Sequence, residues 1–354
     1  MKNIYIHLPL SEPELSNLAL ATVCGTSGST PQKPGSSAVF NRSGLVTGTV
    51  GGGVLEGKVE KLAIKSLAER YCEIRTFSLD RFTAGGEDAL CGGRIEILID
   101  SNLGKHVPVF QQIRESMSGR TPGILITTLI QGNDGKSGIE RYWVTSDTTS
   151  SVSAEIREHA GSVIDDMLRS LIPGDFHRLT IPGKKGKGSL HIFLELIKPY
   201  MRLVIAGAGH IGKALSGLGQ MLDFEVTVID DRPEFANKQH VPAADQIIAD
   251  NIGKSIAEIE KGKDTFIVIV TRGHRDDADA LKSCISSDAA YIGMIGSRNK
   301  VALMKQEFIS GGWASKEQWD RIYAPVGVEI GSVTVDEIAV SIAAQLIQVK
   351  NSLR

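Results

Sequence analysis

Cysteine is scarce in this chain: Cys24, Cys72, Cys91 and Cys284 are the four among 354 residues, and no two have the spacing of a disulfide framework or a metal site. That excludes a disulfide scaffold and fits a reducing compartment, so a cytoplasmic location is expected. Charge of one sign is also lacking. The net charge of −2 leaves no basic excess to neutralise a phosphate backbone, and no nucleic acid partner is expected. No uninterrupted apolar run approaches about 18 residues, so no membrane span is expected. The start, Met1–Lys2–Asn3–Ile4–Tyr5, lacks the pattern of a signal peptide. No histidine, cysteine or carboxylate spacing resembles a closed zinc site or a metalloprotease helix. Glycine is plentiful instead. The 38 glycines cluster in short runs between apolar strands, where they serve as turns or backbone ligand sites. Length suggests two domains, and a hydrophobic content of 42% suffices for ordinary cores.

The most informative run is Leu203–Val204–Ile205–Ala206–Gly207–Ala208–Gly209–His210–Ile211–Gly212–Lys213. An apolar strand enters a G-A-G-H-I-G turn and then a helix, and the next strand ends in Asp230–Asp231. This is a dinucleotide-binding fingerprint in context: Gly207 for the tight turn, Gly209 for close backbone approach, Gly212 for helix–sheet packing. Asp230 is placed to accept a ribose hydroxyl. From Arg202 onward strands and helices alternate, which implies a parallel sheet covered on both faces. Strands are expected at Arg202–Ala206, Glu225–Asp230, Gln246–Ala249, Thr265–Val270 and Ala290–Ile295. Their carboxyl ends carry the turns Gly207–Gly212, Asp230–Pro233, Thr271–Asp276 and Gly296–Asn299. The fold class is therefore α/β: a C-terminal Rossmann-like, doubly wound parallel sheet (199–354) preceded by a mixed α/β N-terminal domain (1–198).

In the N-terminal part, strands are expected at Leu18–Val23, Ser37–Phe40, Ile74–Phe77 and Arg94–Ile99, with a helix over Val54–Arg70. Further on lie an amphipathic stretch from Pro108 to Met117 and strands Gly123–Ile130 and Glu140–Val144. A helix near Ala154–Leu171 and strand Ser189–Leu194 follow. Gly132–Asn133–Asp134–Gly135 reads as a hairpin turn, and Pro182–Gly188 as an exposed, solvated loop.

Five constellations have chemical meaning. Gly51–Gly52–Gly53 lies between a strand and a helix, so its amides can approach a ligand without side-chain obstruction. The following helix favours an anion by about 0.3–1 kcal/mol. Glu56 either hydrogen-bonds a ligand N–H or is a favourable first-turn charge. The loop Ser27–Ser37, rich in hydroxyls and stiffened by Pro31 and Pro34, is a polar ligand loop or a plain connector. Cys91, followed by Gly92–Gly93, is an accessible thiol among free amides or a small buried hydrophobe. Cys24, Cys72 and Cys284 read as core. In the second half, Arg272, His274 and Arg275 are placed to grip a phosphate or pterin-like group, with Asp276 capping the next helix. Gly296–Ser297–Arg298 repeats the pattern of strand end, small turn and cation at a helix start.

Taken in order, Ala21–Thr22–Val23, Gly28–Ser29–Thr30–Pro31, Pro34–Gly35, Gly51–Gly52–Gly53–Val54–Leu55–Glu56 and Cys91–Gly92–Gly93 resemble the xanthine dehydrogenase accessory protein family. This is the XdhC/CoxI group of molybdenum-cofactor chaperones. Gly207–Gly212, Thr271–His274, Gly296–Ser297–Arg298, Pro325–Gly331 and Glu337–Ile338–Ala339 extend the resemblance, while about 105–199 carries little of it. The resemblance implies a homodimeric protein, a non-catalytic chaperone rather than an enzyme, that binds molybdenum cofactor (molybdopterin) and protects it. It also implies that the protein promotes sulfuration of the cofactor with a cysteine desulfurase and hands it to a xanthine dehydrogenase-type molybdenum enzyme. By motif, Cys91 would contact the cofactor or its metal, and the Gly51–Gly53 amides with Glu56 would hold the pterin or phosphate. Many relatives carry cysteine immediately after the three glycines; this chain has Val54, which tells against a two-thiol mechanism. The alternative is an NAD(P)-dependent oxidoreductase using Gly207, Gly209, Gly212 and Asp230, although no acid/base constellation accompanies that fingerprint. A third reading is a nucleotide-sensing regulator without chemistry.

Overall fold

The computed structural model describes residues 4–79, 92–131, 137–149, 152–170, 174–182 and 188–353. The chain divides into two compact units, Met1–Pro199 and Tyr200–Arg354.

In the first unit a 3-10 turn (Ile4–His7) and a short helix α1 (Glu12–Leu15) precede strands β1 (Ala19–Ser27), β2 (Ser37–Asn41) and β3 (Gly44–Gly48). Helix α2 (Gly53–Glu69) and strands β4 (Cys72–Ser78) and β5 (Arg94–Asp100) complete an antiparallel sheet in the order β3-β2-β1-β5-β4. Helix α3 (Val107–Ser118) leads to β6 (Gly123–Gln131), β7 (Ser137–Val144), α4 (Ala154–Leu168), β8 (Phe176–Pro182) and β9 (Ser189–Ile197). These strands make a second antiparallel sheet, β7-β6-β9-β8.

The alternation of side chains explains the layering. Along β1, Ala19, Ala21 and Val23 pack against Leu55, Val59, Ala63 and Leu67 of α2. Along β6, Ile124 and Ile126 pack against Ile156, Ala160 and Ile164 of α4. The opposite faces meet, with Cys24, Cys72 and Leu98 of one sheet against Leu129, Ile139 and Phe193 of the other. The first unit is thus a helix–sheet–sheet–helix sandwich. Cys24 sits where the β1–β5 register shifts, at a bulge between Val23 and Gly25. Its thiol reaches the Glu96 carbonyl at 3.4 Å, and burial pushes its pKa up to about 12. Cys72 and Cys284 are buried as well.

The second unit runs β10 (Met201–Ala206), α5 (His210–Met221), β11 (Phe224–Asp230), β12 (Gln246–Ala249), α6 (Ile252–Glu258), β13 (Thr265–Ile269), α7 (His274–Lys282) and β14 (Tyr291–Met294). Helices α8 (Arg298–Ser310), α9 (Lys316–Asp320) and α10 (Val335–Ser352) follow. The sheet is parallel throughout, in the order β12-β11-β10-β13-β14. Leu203 and Ile205 of β10 pack with Leu215 of α5 and Ile342 and Leu346 of α10. Val204 and Ala206 point the other way, toward a core with Ile256, Leu281, Met304 and Phe308. This is the expected doubly wound sheet, and its strand order reverses between β10 and β13, where such sheets open a crevice.

The structure departs from expectation at several boundaries. β1 runs on to Ser27, α2 starts at Gly53, α4 ends at Leu168, and β8 was not foreseen. The expected hairpin turn at Gly132–Gly135 and most of the loop Pro182–Gly188 lie outside the described residues.

Polar groups also occupy the space between the two sheets. Asp100 and Arg141 form a buried ion pair from β5 to β7. Tyr5 donates to Glu195 Oε2 at 2.7 Å. Burial pushes the Glu195 carboxyl up from 4.5 to about 7. A raised carboxyl binds its proton more tightly in the folded chain. Its stabilisation is therefore complete below about pH 4.5 and lost as pH rises through about 7. Burial pulls His106 down to about 4, and that group acts oppositely, costing stability as pH falls below 6.5. Glu195→Gln is expected to remove the first effect only. Denaturation midpoints from pH 4.5 to 8 should then show a variant that gains on the parent as pH rises, by about 2 kcal/mol after allowance for residual exposure. A constant difference would contradict this assignment.

Candidate functional site

Three glycine-bearing segments distant in sequence come together at one end of the strands of the first sheet. The chain leaves β1 at Ser27 into the Gly28–Ser36 loop, and Gly28 holds φ at 70°. A Cβ there would stand 2.9 Å from the Gly92 carbonyl oxygen and 3.1 Å from the Gly93 Cα. In the other direction, a Cβ on Gly93 would collide with the carbonyl oxygens of Ser27 and Ser29. The entry to β5 is therefore laid against the exit from β1 at a spacing only glycine allows. The loop is folded in its own right. Val23 N donates to Ser36 O and Gly35 N to Val23 O, each at 2.8 Å, and Ser36 Oγ reaches Gln32 Oε1 at 3.0 Å.

The third segment is the triple glycine. Gly51, Gly52 and Gly53 all have left-handed φ values, 143°, 72° and 56°. Gly51 lies under Pro31 of the loop, where a Cβ would come within 2.8 Å of the proline ring. Gly52 and Gly53 are different, because a Cβ on either would meet nothing within 4 Å. Their backbone faces open space at the N-terminus of α2, whose unpaired amides and dipole suit an anion. Glu56 is held in the turn: its Oε2 accepts from Thr49 Oγ1 at 2.7 Å and Val50 N at 3.2 Å. Val54 is exposed beside it. Cys91 lies outside the described residues, as do the eleven before it.

In the second unit the expected turns all lie at the carboxyl ends of parallel strands. Gly207 has φ 114°, and a Cβ there would lie 2.5 Å from the Val270 carbonyl oxygen. A Cβ on Gly212 would collide with the Gly207 carbonyl oxygen. Gly209 is the N-cap of α5, with nothing within 4 Å of a Cβ position.

Asp230 lines the crevice, but its carboxylate is taken up by the chain itself. It is buried, and its carboxylate accepts from Ala208 N (2.8 Å) and from Arg232 N (3.1 Å), Nε (2.8 Å) and Nη2 (2.9 Å). Two bonds per oxygen fill a carboxylate's acceptor sites. Burial alone would push this carboxyl up, but the bonds from Arg232 and Ala208 hold it below the usual aspartate value.

Asp276 is not the cap of α7 either. The helix begins at His274 with Gly273 as N-cap, so Asp276 falls in its first turn, 3.5 Å from Arg272 Nε. Arg272 also donates to Asp231 at 2.8 Å. His274 Nε2 lies 3.0 Å from Glu307 on α8, and Arg275 is exposed. Ser297 is the N-cap of α8, its side chain accepting from Lys300 N, while Arg298 is 89% exposed and 3.8 Å from Glu329. Asp277, fully buried, joins Thr271 Oγ1 (2.6 Å) and the Lys300 ammonium. Sequence reasoning passed over Asp231, Asp277, Lys300 and Glu307. The Asp230–Asp231 doublet was the visible signal for the first, whereas the α7–α8 pairings leave no local trace. Among the described residues, no group of three or more His, Cys, Asp or Glu side chains is arranged to hold a metal ion. No helix among them is long and apolar enough to cross a membrane.

Fold and turns together define a two-unit protein that joins an antiparallel sandwich to a Rossmann sheet. Family models place it further: the XdhC and CoxI family matches residues 16–78, and the XdhC Rossmann domain matches residues 203–346. The chain belongs to the XdhC and CoxI family. It is 32% identical over 166 residues to the uncharacterized protein YqeB of Escherichia coli (strain K12), a match covering 47% of this chain and 30% of that relative's length. It is 25% identical, over 99% of its own length and 98% of the other's, to a probable xanthine dehydrogenase subunit from Bacillus subtilis (strain 168). The crystal structure of a xanthine dehydrogenase from Bacillus halodurans has the same fold, with TM-score 0.74, 23% identity and 97% of each chain covered.

The last two glycines of the Rossmann turn, Gly209 and Gly212, separate access from packing. Gly212→Ala is expected to destabilise the second unit by about 2–4 kcal/mol, since backbone must move to admit the methyl group. Gly209→Ala, with φ −64° and open space, should cost within about 1 kcal/mol. Chemical denaturation of the two variants compares them, and equal losses would contradict the assigned roles.

Proposed function

We propose that this chain is an accessory protein of a xanthine dehydrogenase-type molybdenum hydroxylase. In this role it binds molybdenum cofactor in its first unit, protects it, supports its sulfuration by a cysteine desulfurase and delivers it. The observation that supports this reading is that the Gly28–Ser36 loop lies against both the Gly51–Gly53 turn and the Gly92–Gly93 entry at one end of the first sheet's strands. These are the segments on which the family resemblance rests in the N-terminal half. The names of the two long-coverage relatives, both containing xanthine dehydrogenase, agree with the client.

The residues present suit the group. The open backbone at Gly52 and Gly53 and the amides opening α2 fit the anionic phosphate or the pterin edge, and Glu56 holds the turn in shape. Cys91, next in sequence to Gly92, would supply the thiol at the cofactor or its metal. When bound, the cofactor would supply the molybdenum centre for use in the hydroxylase; the chain itself binds and shields, with no catalytic residue assigned. Asp230, the ribose acceptor expected for the oxidoreductase alternative, is already filled by its own neighbours.

Purified protein incubated with released cofactor and passed over gel filtration should retain near-stoichiometric molybdenum. Cys91→Ala and Gly52→Val should each lose most of it, the latter by covering the open backbone. Retention equal in all three would remove these residues from the site, and no retention by the parent chain would overturn the proposal.

A further inference from the structure

The second sheet of the first unit carries a cleft along one free edge, apart from the glycine junction and independent of the cofactor reading above. Strand β7 stands at one end of the order β7-β6-β9-β8, so one side of its backbone has no strand beside it. Helix α3 lies against this strand, with Trp143 Nε1 donating to Ser116 Oγ at 2.8 Å. Strand edge and helix enclose a cleft of about 480 Å³. Arg141, Trp143 and Thr145 line it from the strand, and Val109, Gln112 and Glu115 from the helix.

The open stretch of edge has definite limits. Just past the end of β7, Thr145 N donates to Thr148 Oγ1 at 2.9 Å instead of to β6. Backbone groups alternate sides along a strand, so the N–H and C=O groups of Trp143 and Arg141 point the same way as Thr145 N, off the sheet. At the other limit His106 hydrogen-bonds the Ile139 backbone. Between these two caps, the backbone groups of Arg141 and Trp143 have no partner among the described residues. Other edges are closed: β14 is covered by backbone bonds with Tyr323 and Val326, and β12 is four residues long.

Charge and shape select the occupant. The Arg141 guanidinium is spent on Asp100, so the strand side of the cleft is neutral. Glu115 is exposed and has no ion-pair partner among the described residues, which leaves the cleft with an uncompensated negative charge. Trp143 is locked in place, since a Cβ on Gly123 would collide with its ring, and with Val109 it offers a fixed apolar wall. An extended chain segment meets all three demands: backbone groups for the edge, an apolar side chain for the wall and a cation for Glu115.

We propose that this cleft docks an extended segment of another protein, added as a short strand along β7 with a lysine or arginine opposite Glu115.

Fluorescence anisotropy of labelled, capped seven-residue peptides with the full chain tests this without molybdenum cofactor present, so its outcome is separate from that of the cofactor proposal. A peptide alternating valine and threonine about a central lysine should bind saturably, with a midpoint below about 1 mM. The same peptide with a central glutamate should bind at least about tenfold more weakly. N-methylation at every second residue strips the N–H groups from one side of an extended chain. Of the two such isomers of the lysine peptide, one should lose at least about tenfold in affinity and the other should keep it. Glu115→Gln should close the gap between the lysine and glutamate peptides, with the melting curve of the parent because the side chain is exposed. No saturation by the lysine peptide up to about 1 mM, equal binding of the two N-methyl isomers, or an unchanged lysine preference in Glu115→Gln would each overturn the proposal. A dimer in sedimentation that Glu115→Lys dissociates would also overturn it, assigning the edge to a second copy of this chain.

Discussion

Everything at the two candidate sites depends on backbone approaching backbone where no Cβ fits. In the first unit the carbonyl oxygens of Ser27 and Ser29 occupy the place a side chain on Gly93 would need, and Gly28 returns the constraint toward Gly92. In the second, the Gly207 carbonyl occupies the place of a Gly212 side chain, and Val270 that of Gly207. Once these contacts are made, the neighbouring glycines Gly52, Gly53 and Gly209 are left with bare backbone toward open space. Packing glycines and open glycines alternate within a few residues. The first kind fixes the turn that allows the second kind to face a ligand.

Charge follows the same division between groups spent on structure and groups left over. Asp230 with Arg232 braces the Rossmann turn through Ala208, whose carbonyl is also held by His240 Nε2 at 2.9 Å. Asp277 ties α7 to Lys300 of α8, and burial pushes its carboxyl up despite that partner. In the sandwich, Asp100 and Arg141 do the same between the sheets. Such buried pairs are costly to break by removing one partner, so they define geometry more than they add stability. The half-exposed groups, Asp231, Arg272, His274 and Glu307, are the ones that chemistry outside the chain can reach.

The parallel sheet was legible because its strands are mostly apolar runs that each end in a polar or glycine turn, a pattern that survives without tertiary context. The sandwich was not. The pairing of β1 with β5 joins Leu20 to Asp100, and nothing local marks such a partner. Strand β8 escaped because Phe176–Pro182 mixes His177, Arg178 and Thr180 among its apolar residues and is half buried along most of its length. At the sites, glycine positions were readable from spacing, whereas the roles of charged residues were not. Whether Asp230 or Asp231 faces outward depends on Arg232 folding back, and whether Asp276 caps a helix depends on that helix starting at His274.

The central claim is that the glycine junction of the first unit serves a cofactor passed on to another protein, with the Rossmann crevice separate from it. The most direct measurement is reconstitution of a cofactor-free molybdenum hydroxylase with free cofactor, with and without this chain. Activity should recover faster and further with the parent protein. The gain should vanish with Gly52→Val and persist with Asp231→Ala. No gain from the parent chain, or a gain indifferent to Gly52→Val, would contradict the account.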